Sequence, residues 1–502
     1  MILHTTVRQD EPGDRRGSRM RAAPANRYGC WVLALSFFLV AALTRFYRVD
    51  WSVSGDDTST FSAVRSLLDK PFFLKEFQPY DDQPRGAPVG YLLQAATFRL
   101  CGTDETGARC GTALAGSLAV GLCVFAAARL YGLAHACIVG AMLILWPWLL
   151  FHSQSHRVYS YAFLFASGAM LAGAASWKRN NLVWGAVSGV LTAVAVSTHV
   201  FALVVPLGLG LFVLIEAVGG RTAMHRRAVW GYVAAGGPLL LISCGLAVWA
   251  FAQWPDREAM GWGYTGVHSL MGLAFNVTWS VALLSAVGWL LAWRASDATL
   301  RMWAAIACVI VAVSVVVPRF VSFRPDYVFP VSVVFFLLAA HVLAEAYLAL
   351  RSRSAVLGLG VVTGVLLLAL PSFASYYQDG NRKDYRAAAR FVQEHADAVD
   401  LIAADTRGAL AYYLKREVLW VPRPTSAPQE CVKVLKQLAQ SGKPIWYVCR
   451  FAREEPAPEV DRWFWRNAVR MLRIKRKRFD YHENILDVYL FDADRAGSAA
   501  AD

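Results

Sequence analysis

Two adjacent carboxylates, Asp56 and Asp57, stand where the chain leaves its first long apolar run. Acids at that boundary either cap the start of a surface helix or face a polar cavity at the bilayer edge. Three further polar segments raise the same question. Asp81 to Gln94 holds Arg85, Pro88 and Tyr91, and runs on to Gly102. Phe151-His-Ser-Gln-Ser-His-Arg-Val-Tyr159 sets Gln154, Arg157 and Tyr159 between two apolar runs. Pro318 to Tyr327 carries Arg319 and Arg324 beside Tyr327. A single arginine such as Arg157 can simply snorkel to the interface, but polar residues gathered at the edge of a membrane segment more often line a cavity. Guanidinium groups beside a span match an anionic headgroup, which they bind with two parallel hydrogen bonds. His199, at the end of an apolar run, is a lone histidine, and the bland reading of it is an interfacial hydrogen-bonding residue.

These segments need helices to hold them. Of 502 residues, 56% are hydrophobic and only 17% charged, in aliphatic runs too long and frequent for a soluble core. Runs of about twenty apolar residues predict spans near 30–47, 108–130, 133–151, 158–177, 181–198, 200–217, 229–252, 270–292, 302–318, 327–349 and 355–373. With the N-terminus in the cytoplasm, Arg129, Lys178, Arg179, the basic cluster 221–227, Arg294 to Arg301 and Arg351 to Arg353 all fall inside, as the positive-inside rule demands. The net charge of +14 thus reflects topology and excludes a nucleic-acid role. The fold expected is mainly α: a basic tail over 1–29, a transmembrane domain over 30–373 with interfacial helices in a first outer loop at 48–107, and a short disordered end at 496–502. Between them, 374–495 alternates β-rich runs at 399–403 and 444–448 with helical stretches at 384–395 and 430–440, the pattern of a small α/β domain.

Other signals are weaker. Nine cysteines show no metal-ligand spacing, and the pairs Cys101/Cys110 and Cys431/Cys449 are disulfide candidates on an oxidising side. Gly208-Leu-Gly210 and Gly358-Leu-Gly360 follow no strand and read as helix-packing glycines. Asn276-Val-Thr278 falls inside an expected span, and the basic run 473–478 reads as a solvated face.

Taken in order, the acidic pair, the Pro88-x-x-Tyr91 helix, the Ser153-Gln-x-x-Arg-x-Tyr159 turn, the Pro325-x-Tyr327 loop and the C-terminal domain resemble a known superfamily. It is that of the polyprenyl-phosphate-dependent GT-C glycosyltransferases, which includes protein O-mannosyltransferases and lipid A aminoarabinose transferases. The resemblance covers about residues 30 to 420. It implies that Asp56 is the catalytic base, with Asp57 in place of a glutamate as a second acid. Arg85, Arg157, Arg324 and Arg319 become contacts to the donor phosphate, and Tyr91, Gln154, Tyr159, Tyr327 and His199 line the substrate pocket. Ser155 stands where a glutamate is frequent, and Asp326 where an arginine is, so Arg324 or Arg319 must supply that charge. Lys383-Asp-Tyr-Arg386 looks like the start of the outer domain. The expected partners are a polyprenyl-phosphate sugar, a lipid, glycan or protein acceptor and the bilayer. These residues name no certain cofactor, and a divalent metal is compatible with the chemistry. The expected location is a bacterial inner membrane, with the C-terminal domain outside the cytoplasm. The rival reading is a lipid carrier or transporter without catalysis, or a scaffold with a decayed site.

Overall fold

The computed structural model describes residues 26–53, 57, 60–61, 63–64, 67, 88–220, 225–252, 266–319, 323–379, 382–424, 427–451, 458–477 and 483–491. The membrane part begins with α1 (Arg27–Phe46), α2 (Pro88–Cys101), α3 (Gly107–Tyr131), α4 (Leu133–Ile144), α5 (Pro147–Ser153), α6 (Tyr159–Arg179) and α7 (Leu182–Thr198). It continues through α8 (Val204–Val218), α9 (Arg226–Ala252), α10 (Gly266–Val277), α11 (Trp279–Arg294), α12 (Ala298–Val316), α13 (Val333–Arg351), α14 (Ala355–Leu367) and α15 (Leu370–Asp379). Seven described stretches are long and apolar enough to cross a membrane, and two bent helix pairs raise that to nine. With α6 and the shorter α7, every one of the eleven expected spans meets a helix or a helix pair. Their outward side chains suit lipid: Val356 is 80% exposed and Leu241 76%.

Two expected spans are broken, each for a local reason. α4 and α5 meet at 62°. Pro147 opens α5, and Trp146 before it is extended, as a residue preceding proline tends to be. The expected span 270–292 is instead α10 and α11 meeting at 104° across Thr278, whose φ is +74°. The Asn276 carbonyl at the break accepts a hydrogen bond from Trp146 Nε1 at 2.6 Å, so the interruption leaves that group satisfied. α10 packs against a 3-10 segment, Pro325–Val331, with Gly272 close against Pro325. Those prolines also correct the expected start of the next span, which begins at Val333 instead of 327.

Small residues let helices approach where lipid offers no hydrophobic driving force. α7 and α9 make the closest such pair: a Cβ on Gly189 would run into the Tyr232 carbonyl, and one on Gly236 into the Gly189 backbone. Gly189→Leu therefore cannot be absorbed by a rotamer change and should cost about 3 kcal/mol. Thermal unfolding in detergent checks this; an unchanged Tm would mean that the pair can separate freely. Elsewhere in the bundle Glu216 and Arg301, both buried, pair through two hydrogen bonds of 2.7 and 3.2 Å.

Beyond α15 the chain forms α16 (Tyr385–His395), β1 (Leu401–Ala404), α17 (Arg407–Leu414), β2 (Leu419–Trp420), α18 (Pro428–Ala439), β3 (Ile445–Phe451), α19 (Pro458–Asn467), β4 (Ala468–Lys477) and β5 (Glu483–Phe491). The sheet order is β2-β1-β3-β5-β4. β1 runs parallel to β2 and β3, whereas β5 is antiparallel to β3 and β4. β4 is an edge strand with exposed basic side chains, which discourages pairing with another chain; its Arg473 bonds Asp487 at 2.7 Å. All nine cysteines are free thiols. Cys101 and Cys110 lie within hydrogen-bond reach of each other, and Cys431 and Cys449 are buried in the sheet domain.

Candidate functional site

The bend at Pro147 aims α5 so that residues 152–158 turn under the C-terminal domain. Gln154 ties the turn down. Its amide donates to the Arg45 and Tyr47 carbonyls at 2.9 and 2.8 Å, and its oxygen accepts from Trp51 Nε1 at 3.0 Å and the Tyr376 hydroxyl at 2.7 Å. Two donors and two acceptor sites exhaust a carboxamide, and Gln154 is fully buried. It braces the end of α1 against α15.

Asp57 is the centre of a second knot. Arg382 Nη1 lies 2.6 Å from its Oδ2, Arg109 Nη2 lies 3.7 Å from the same atom, and the His156 amide donates to Oδ1 at 3.2 Å. Arg382 also donates to the Gln154 carbonyl at 2.6 Å, and Arg109 to the carbonyls of Val49 and Trp51 at 2.8 and 2.5 Å. All three charged side chains are buried. From the other side, Tyr413 donates to Glu105 at 2.8 Å and its oxygen accepts the Val53 amide at 2.7 Å, while Arg386 reaches Glu105 at 2.8 Å. Val53 and Asp57 are thus both anchored. Asp56 lies between them, outside the described residues, as does Arg85.

The remaining predicted residues separate into one cluster and one outlier. The Arg157 guanidinium sits 5.1 Å from the Tyr159 ring centre and acts electrostatically on Tyr91, His152 and His199. His199 lies 4.7 Å from the Tyr159 ring and 6.3 Å from that of Tyr327, which stacks on Phe201. Arg324 bonds Asp326 at 3.1 Å and adds its field at Tyr159 and His152. Tyr91 is supplied by α2, which packs on the helical residues at 60–64 through Phe61, Val64 and Phe98, as expected for paired surface helices. Arg319 is the outlier, exposed at the end of a separate turn.

The electrostatics suit an anion. Burial, with Arg157 adding to it, pushes the His199 imidazole down to about 3, so it stays neutral. Burial pushes the Tyr91 hydroxyl up to about 12, which keeps it a hydrogen-bond donor. The guanidiniums of Arg157 and Arg324 therefore stand in a mouth lined by neutral polar rings. Among the described residues, no trio of metal-ligating side chains gathers around this cluster.

Sequence reasoning missed Arg109 and Arg382. Arg109 is the second residue of the expected span 108–130, at the end where basic residues are disfavoured, and that misplacement was the available signal. Arg382 sits one residue before the recognised Lys383-Asp-Tyr-Arg386 segment, whose Asp384 caps α16.

No protein-family profile matches the chain, and no curated protein sequence does. Solved structures do. ArnT from Cupriavidus metallidurans in the apo state superimposes with a TM-score of 0.55 over 92% of this chain and 98% of that chain, at 16% identity. The same protein bound to undecaprenyl phosphate gives 0.56 over 91% and 98%, also at 16% identity. The chain has this fold: the polytopic helical architecture with a C-terminal α/β domain expected from the sequence is the one found.

Proposed function

We propose that the chain is an integral-membrane glycosyltransferase that moves a sugar from a polyprenyl-phosphate donor to a hydroxyl acceptor at the face bearing the C-terminal domain. The observation that carries this reading is the convergence of Arg157 and Arg324 with Tyr91, Tyr159, Tyr327 and neutral His199, beside an anchored acidic stretch. It is supported by a structural neighbour that binds undecaprenyl phosphate. Arg129, Arg179, Arg294 and Arg351 end their helices at the opposite face, which supports an extracytoplasmic site in a cell membrane.

A sugar on a phosphate is already activated, so the protein must do two things. Asp56 takes the proton of the acceptor hydroxyl as its oxygen bonds the anomeric carbon. The carbon–oxygen bond to the phosphate breaks on the opposite side, inverting that centre, and the arginines hold the departing polyprenyl phosphate. Burial strengthens that stabilisation, because little water competes for the charges. The lipid tail stays among the spans while the headgroup reaches the polar mouth.

The test is sugar transfer by the purified full chain from a panel of radiolabelled polyprenyl-phosphate sugars, with membrane extract as acceptor. Arg157→Ala should raise the donor KM by roughly ten- to hundredfold, the worth of one charge-assisted hydrogen-bonding group. Arg157→Lys should recover part of it, since the charge returns without the fork. An unchanged KM in both would remove Arg157 from the donor site. Donor binding without transfer to any extract, together with an Asp56→Asn variant that behaves as wild type, would favour a carrier.

A further inference from the structure

Away from that mouth, three metal-ligating side chains meet across two helices. His135 lies in the first turn of α4, and His341 and Glu345 lie four residues apart on α13, hence on one face of it. His135 Nε2 is 3.2 Å from His341 Nδ1, and the three candidate ligand atoms lie within 4.8 Å of one another. We infer that His135, His341 and Glu345 form a binding site for a divalent transition-metal ion of the zinc class.

Four observations support this. Two imidazoles and a carboxylate are the donor set of zinc and its neighbours; magnesium and calcium prefer oxygen alone. Two nitrogens each about 2.05 Å from a tetrahedral ion stand about 3.3 Å apart, close to the spacing seen here. The His135 ring is held in place: it stacks on Tyr131 at 5.3 Å, and the Tyr131 hydroxyl bonds Thr299 at 3.0 Å and Trp303 at 2.6 Å. His135 is buried while Glu345 is exposed, so an ion can enter from the carboxylate side, where a rotamer change brings the oxygen inward.

The site is separate from the arginine cluster. His341 lies eight residues into α13, about 12 Å along the helix from its start next to Pro325–Val331. His135 lies nine residues before the end of α4, about 14 Å from the bend that leads to Arg157. An ion here would clip α4 to α13, whose far ends carry the two halves of the mouth. The inference stands independently of the reading of that mouth.

The experiment uses the full chain in detergent, stripped with chelator and titrated with Zn2+, Co2+ or Mg2+. The wild type should take up one Zn2+ per chain by elemental analysis, show a Tm that rises with Zn2+ but not Mg2+, and give the visible absorption of tetrahedral Co2+. Glu345→Gln, at an exposed position that tolerates substitution, should weaken Zn2+ binding by at least about tenfold. His341→Ala should abolish it and the Co2+ spectrum. The inference fails if wild type binds less than one equivalent, or if both variants bind Zn2+ as wild type does. It fails too if Mg2+ raises the Tm equally. In each case the 3.2 Å contact is only a hydrogen bond between two rings.

Discussion

The Asp56→Asn variant is expected to fold, to bind the polyprenyl-phosphate donor and to transfer sugar roughly a hundred- to ten-thousandfold more slowly than wild type, the usual share of a positioned general base. Asparagine keeps the size and polarity of the side chain but cannot accept the hydroxyl proton. The loss should fall on kcat, leaving donor KM within a few-fold, because the proposed mechanism assigns the phosphate to the arginines and not to this carboxylate. Folding should be spared, since the stretch is anchored by its neighbours: Val53 bonds Tyr413, and Asp57 holds Arg382. Single-turnover transfer alongside thermal unfolding checks both halves. A variant with wild-type kcat would hand the proton to another base.

Asp57→Ala should fail in a different way. It strands Arg382 and Arg109 with their charges buried and their carboxylate gone, a change that typically costs 3–5 kcal/mol. The expected result is a marked fall in Tm before any kinetic effect is considered. Asp57→Leu with Arg382→Met should recover part of the loss, because replacing both members of a buried pair is far milder than removing one. Should Asp57→Ala keep its Tm and lose only turnover, Asp57 would act in the chemistry and the two-acid reading would stand. Two neighbouring aspartates are thus expected to give opposite phenotypes, one kinetic and one structural.

That contrast shows where the sequence was legible. Long apolar runs specify spans by themselves, and Pro88 announces a helix start, so the bundle and its polar segments could be read in order, whereas the bend at Pro147 inside the expected span 133–151 was not anticipated. The break at Thr278 could not be read, because a threonine with positive φ leaves no mark in the sequence. Gln154 looked like a pocket residue; its partners Trp51 and Tyr376 lie 103 and 222 positions away, and only the fold reveals that its amide is fully used. Asp57 was read as a possible second acid, and the ion pairs that hold it were not foreseen. Its neutralising arginine comes from position 382, beyond the last span. Arg157, Tyr159, Arg324 and Tyr327 stood out because they interrupt apolar runs, and the fold brings them near one another.

The knot around Asp57 also bears on how each molecule is made. Arg382, Arg386 and Tyr413 are synthesised after every span, yet they fasten the stretch that follows the first one. Insertion of the spans and closure of this knot are therefore separate events in the life of the polypeptide. A chain that stops short of Arg382 would hold all its spans while Asp57 still lacks its partner.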